Sequence, residues 1–200
     1  MQRRRPDTGR IIRPTSAGNF HMLKIPKPKE GEYAPYTIMY INVLPDDGSV
    51  LTHVKDNCTS MKKFILSLPE SKLIYRYAVG KWTIKETLVH IMDTERIFAY
   101  RALRFARNDA TALPGYEQDD YVPFSRANER SIADIFQEYS AVREATVTLF
   151  ESFNEEEILR KGIANGNPAS VRALAYQIAG HEMHHMKIIK ERYVPDSWPK

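Results

Sequence analysis

The chain holds a single cysteine, Cys58, so no disulfide can form within it. That usage fits a reducing compartment, and a cytoplasmic protein is the expectation. No apolar run approaches the ~18–20 residues needed to span a bilayer. The basic N-terminus is not followed by the apolar stretch of a secretion signal. Sustained apolar–polar alternation, the mark of half-buried strands, is also missing. Finally, the body of the chain lacks excess positive charge. Residues 1–29 carry eight Arg and Lys against Asp7 alone, so of the net +4 the remaining residues sum to −3. A nucleic-acid-binding domain needs a basic face with aromatics or a recognition motif. Neither is visible, so no specific nucleic-acid partner and no membrane partner is expected.

What is present suits one folded domain of ordinary composition. Residues 1–23, rich in Arg and poor in apolar side chains, read as a disordered basic leader. Met22 stands where the sequence changes character and is a candidate start, which the mass of the native protein would decide. The domain is expected over 24–195, with 196–200 as a short tail. Pro26, Pro28, Pro35 and Pro45 block a long helix at its beginning. The aromatics between them predict an extended N-terminal arm packed on the domain.

Four amphipathic stripes follow. Leu51, Val54, Cys58, Met61, Ile65 and Leu68 recur at intervals of three and four, and Pro69 ends the run. Thr83-Ile84-Lys85-Glu86 is a capping box for a second helix that buries Ile84, Leu88, Ile91, Phe98, Ala102 and Phe105. Glu95 falls inside that stripe and, once buried, needs a partner. Asn108 and Asp109 close the helix, and residues 108–130 form a long loop of the kind often tied to function or subunit contact. Ser131 opens a third helix through Ile132, Ile135, Tyr139, Val142, Thr146, Leu149 and Phe153. Residues 154–168 read as an acidic turn broken by Gly162, Gly166 and Pro168. Ser170 caps a last helix reaching about Tyr193. The fold class predicted is all-α: a four-helix bundle of the up-down type with long connections.

The last helix carries His181-Glu182-Met183-His184-His185. Its apolar stripe runs Val171, Leu174, Ile178, His181, His185, Ile188. Two histidines thus stand where a core takes leucine, one turn apart on one face. Buried imidazoles need a use for their ring nitrogens. A shared metal ion satisfies both, and a pair of core histidines bonded to carbonyls or carboxylates is the alternative. His184 shares its stripe with Gln177 and Glu191 and falls outside. For a third ligand, His21, His53 and His90 remain, and wheel position supports His90 only weakly. Asp93 and Glu95 lie close enough to substitute or orient. The run also matches H-E-x-x-H, with Glu182 as the base of a zinc protease, but no further histidine follows at metzincin spacing.

Gly80-Lys81-Trp82-Thr83-Ile84-Lys85-Glu86 leading to His90-Ile91-Met92-Asp93-Thr94-Glu95-Arg96, the run Phe98–Arg107, and Gly180–His185 together resemble the DinB/YfiT-like superfamily over residues 24–193. The resemblance implies a four-helix bundle, often dimeric, with a metal triad at His90, His181 and His185. It implies zinc, nickel or a related divalent transition metal. It also implies a small-molecule substrate, with water or a low-molecular-weight thiol as attacking group, in a hydrolase or S-transferase. Asp93 and Glu182 are the candidates for base or orienting carboxylate. Trp82 and Tyr176 are expected in the core, Arg101 in an interhelical ion pair or against an anionic substrate, and Cys58 in the core. The rival from another class is a metal-binding stress-response dimer without turnover.

Overall fold

The computed structural model describes residues 23–194. The leader over 1–23, His21, the candidate start at Met22 and the tail over 196–200 therefore lie outside the described residues, apart from Leu23. Four long helices make the body: α2 (Val50–Leu66), α4 (Ile84–Ala106), α6 (Ile132–Glu151) and α7 (Val171–Ile188). Short helices α1 (Ile38–Asn42), α3 (Glu70–Leu73) and α5 (Gln118–Tyr121) lie between them. A hairpin of β1 (Lys161–Ala164) and β2 (Asn167–Ser170) precedes α7. Beyond α7 the chain widens into a π-helical turn, Ile189–Tyr193. Among the described residues no helix is long and apolar enough to cross a membrane.

The starts of these helices follow from their caps. Thr83 accepts from the Glu86 backbone N–H while the Glu86 carboxylate accepts from Thr83 N–H, a complete capping box. Ser131 and Ser170 cap α6 and α7 through the N–H groups of Asp134 and Ala173. Asn108, in the left-handed region at φ 59°, ends the run that α4 began.

The helices pack as a square. α4 lies against α6 and α7, and α2 against α7 and α6, so α2–α4 and α6–α7 occupy the diagonals. Two apolar clusters fill the interior. One gathers Val54, Phe105, Phe150 and Leu174; the other gathers Met61, Leu88, Tyr139 and Ile189. Following each helix from one cluster to the other gives its direction. α2 and α7 run one way, α4 and α6 the other. The up-down alternation is thus kept from α2 to α4 and from α6 to α7, and interrupted between α4 and α6.

That interruption explains the long loop. To start α6 parallel to α4, the chain must return the length of α4. It does so along α4 itself: Pro114 C=O accepts from Arg101, Tyr116 meets Thr94, and Asn128 meets Thr83. The loop therefore passes the middle of the bundle on its way.

Two elements depart from the sequence expectation. Residues 24–45 are not extended throughout, because Pro35 opens a 3-10 turn (Pro35–Thr37) that leads into α1. Proline lacks only an N–H that the first helical turn leaves unpaired, so it starts a helix as readily as it stops one. Tyr33 and Tyr40 are half-buried, while Tyr36 stays exposed. The hairpin was also unforeseen. Asn165 and Gly166 both have positive φ, the requirement of a type I′ turn, and Asn-Gly is its usual pair. Leu113 pairs with this hairpin through Ile163 and Asn165, which holds the long loop down.

The arm is tied to α7 by a buried ion pair. Glu32 accepts from Arg172 and Ser170. Burial alone would raise the Glu32 carboxyl, but the Arg172 and Ser170 hydrogen bonds outweigh it and hold it at about 2. Because the folded value lies below the unfolded one near 4.5, the stabilisation is complete above pH ~5 and lost as pH falls through about 2. Glu32→Gln should remove ~3 kcal/mol at pH 7 in urea unfolding and flatten the acid limb between pH 5 and 2.

Candidate metal centre

Between the two apolar clusters lies a polar layer, and the histidines belong to it. His90 projects from the middle of α4, and His181 and His185 from the adjoining face of α7. His90 and His181 are buried at 4% and 5% exposure, and His185 is half-buried. Their Nε2 atoms converge: His90 to His181 at 3.1 Å and His185 to His181 at 3.0 Å. One donor atom from each of the three lies within 4.8 Å of the others. His184 is outside this set, its ring edge-on to Tyr40, and His53 pairs with Asp47 on the surface.

The donor set fits a cation. Nε2 of His181 faces two other ring nitrogens, and a neutral imidazole nitrogen can donate or accept one hydrogen well, not both. One of the two contacts is therefore left without a proper donor–acceptor pair unless a cation sits among the three nitrogens. For metal–nitrogen bonds of ~2.0–2.1 Å, neighbouring donors lie ~2.9 Å apart at right angles and ~3.4 Å apart in a tetrahedron. The observed 3.0 and 3.1 Å fall within that span. Burial lowers His90 to about 4 and His185 to about 3; burial, with the neighbouring His185, His90 and His184 rings, depresses His181 well below its ordinary value. All three are thus neutral near pH 7, with the lone pairs that ligation requires. The all-imidazole set suits zinc, nickel or copper.

Aromatic rings wall the centre. Trp82, expected in the core, instead lies 4.7 Å from the His90 ring and stacks at 6.5 Å on His185. Tyr40 packs edge-on to His181 at 5.4 Å. Tyr176 is a core residue, fully buried, with its hydroxyl on Ile25 C=O. On one side of His181 opens a cavity of about 240 Å³ lined by Tyr40, Thr94, Phe98, Arg101 and Tyr116. Tyr116, which no local pattern marked, arrives on the long loop, and its hydroxyl meets Thr94 at 2.5 Å.

The approach of α1 to α7 depends on Gly180, beside His181. A Cβ there would lie 1.9 Å from Tyr40 C=O. Gly180→Ala should displace the arm from α7, reducing stability by ~1–3 kcal/mol in urea unfolding. It should also loosen the Tyr40 contact with His181, read as a change in the Tyr40 ring signals.

The two carboxylate candidates point elsewhere. Asp93 is half-buried and pairs with Arg96 at 3.4 Å, and burial raises its carboxyl. Glu182 is fully buried, accepting from Tyr139 and facing Arg143 at 2.8 Å. Neither lines the cavity at the histidines. Glu182 is therefore not placed as the base of a zinc protease, and that reading of His181–His185 fails. Arg143 also faces Glu95 at 2.9 Å, the partner that Glu95 required. Burial carries Glu182 up to about 7 against the pull of Arg143, since one guanidinium cannot neutralise two carboxylates in a dry interior. Cys58 is half-buried and raised to about 11 by burial, a thiol and not a nucleophile.

Comparison with known proteins agrees with this architecture. A protein of Oceanobacillus iheyensis, named for an inferred metal-dependent hydrolase activity, is 25% identical over 145 residues, covering 70% of this chain and 81% of its own. The structure of YfiT from Bacillus subtilis, described as a probable metal-dependent hydrolase with an unusual four-helix bundle topology, superposes with a TM-score of 0.71 at 13% identity. That match covers 86% of this chain and 94% of YfiT, and it concerns the fold. The DinB superfamily model matches residues 58–189, well over half the chain and including all three converging histidines, and the chain belongs to that superfamily.

Proposed function

We propose that this chain is a metal-dependent enzyme, a hydrolase or thiol S-transferase, whose divalent ion is held by His90, His181 and His185. The observation that carries the reading is the convergence of three neutral imidazole nitrogens with no carboxylate among them. Such an ion, zinc or nickel by resemblance to the family, would supply Lewis acidity and lower the pKa of water or a thiol. The chain's own residues do the rest. Trp82 and Tyr40 restrict water around the imidazoles and fix their tilt. The 240 Å³ cavity is below the ~300–1,000 Å³ of drug-sized sites, which favours a small-molecule substrate. Tyr116 and Thr94 offer hydroxyls that can orient it. Glu182 anchors α7 through Tyr139 and Arg143 and so holds the turn that presents His181 and His185.

The test is turnover. Protein loaded with zinc or nickel is assayed against small esters, amides and alkylating electrophiles, with water alone and with a panel of low-molecular-weight thiols. Turnover that disappears in His181→Ala supports the enzyme reading, and its dependence on thiol separates transferase from hydrolase. Metal-loaded protein that consumes no substrate under any condition overturns it in favour of a metal-binding protein without catalysis.

A further inference from the structure

Among the described residues three arginines are buried: Arg101, Arg143 and Arg172. Arg143 faces Glu95 and Glu182, and Arg172 grips Glu32. Arg101, 8% exposed, has no carboxylate within ion-pair distance among the described residues. Its hydrogen-bonding partner is neutral, the Pro114 carbonyl at 2.8 Å, and its guanidinium lies 5.8 Å from the centre of the Phe98 ring. A charge withdrawn from water without an opposite charge is unfavourable and is retained where something outside the chain completes it. Burial lowers this guanidinium from its ordinary value, and the titratable groups acting on it are the tyrosines Tyr116 and Tyr36.

The position gives the unpaired charge a direction. Arg101 lines the same cavity as His181, about three turns along α4 from His90. The carboxylates at this cavity, Glu117 and Asp119, are both exposed to solvent, and neither pairs with Arg101.

We propose that this cavity takes a small substrate bearing one anionic group, a carboxylate or phosphate, seated on Arg101 with the remainder of the molecule directed toward His181. The planar guanidinium suits both oxyanions, which it can hold through two parallel N–H groups. The direction toward His181 rests on the metal-centre reading, whereas the anion contact itself does not.

Calorimetric titration of the full chain with butyrate, methyl phosphate and the neutral butyramide tests this. Wild-type protein should bind at least one of the two anions about tenfold or more tightly than butyramide, and the better anion names the group. Arg101→Met should lose that preference. Should Arg101→Met not fold, Arg101→Lys carries the test: it keeps the charge, loses the fork, and should weaken the anion about threefold or more. Titrations are run on zinc-loaded protein and on protein stripped of metal and dialysed. Anion binding that persists in Arg101→Met but vanishes on stripping places the anion on the metal, which overturns this inference and leaves the metal reading intact. Wild-type protein that takes up no zinc defeats the metal reading, while an Arg101-dependent preference in that metal-free protein still upholds the anion site. No preference for either anion over butyramide overturns it.

Discussion

His181→Ala should abolish stoichiometric metal binding. His181 is the middle member of the triad, its Nε2 within 3.0 and 3.1 Å of the other two. Its loss leaves His90 and His185 on different helices with nothing between them. Removing an outer partner of a metal ligand typically weakens affinity ~10–100-fold, and loss of a ligand should exceed that. The bound ion measured by elemental analysis after dialysis should fall from about one per chain to a small fraction. His184→Ala, on the neighbouring stripe, should retain it. Equal metal in wild type and His181→Ala would remove the centre from the account.

Arg143→Met should reduce stability by ~3–5 kcal/mol, the usual consequence of stranding a buried charge. The guanidinium binds the polar layer at three points: the Tyr139 hydroxyl, Glu95 and Glu182, with the Val54 carbonyl as a fourth contact on α2. Those residues come from all four long helices. Both Glu95 oxygens and Glu182 Oε2 depend on Arg143 by proximity of charge, since among the described residues none of these three atoms has a hydrogen-bond donor. Without Arg143 two carboxylates must be neutralised in the interior. Adding Glu182→Gln to Arg143→Met should therefore restore part of the loss, a non-additive result in urea unfolding. A loss below ~1 kcal/mol for the single variant would mean that water reaches this layer.

The difference between what was legible and what was not lies in the range of the contacts. Caps are local: Thr83, Ser131 and Ser170 each bond within three residues, and each marked its helix in the sequence. Stripes are local too, and His181 and His185 stood out because they interrupt one. His90 did not. It sits 91 residues from His181, and wheel position left it at a boundary, so only the resemblance to a family named it. Trp82 looked like core because its partners, the His90 and His185 rings, belong to distant helices. Tyr116 was invisible for the same reason, although the length of its loop was a signal. That length comes from α4 and α6 running the same way, a property of topology that no periodicity encodes. The hairpin was legible in principle through Asn165-Gly166, but strands of four residues carry too little alternation to register. Pro35 belongs to the run that blocks a long helix, yet its position opens a short one, and the segment was expected to be extended instead.

The most direct test of the central claim is X-ray absorption at the metal edge of the zinc- or nickel-loaded chain. Three imidazole nitrogens at ~2.0–2.1 Å, falling to two in His90→Ala and again in His185→Ala, is the result this account predicts. A first shell of carboxylate oxygens, or one unchanged by either substitution, would contradict it.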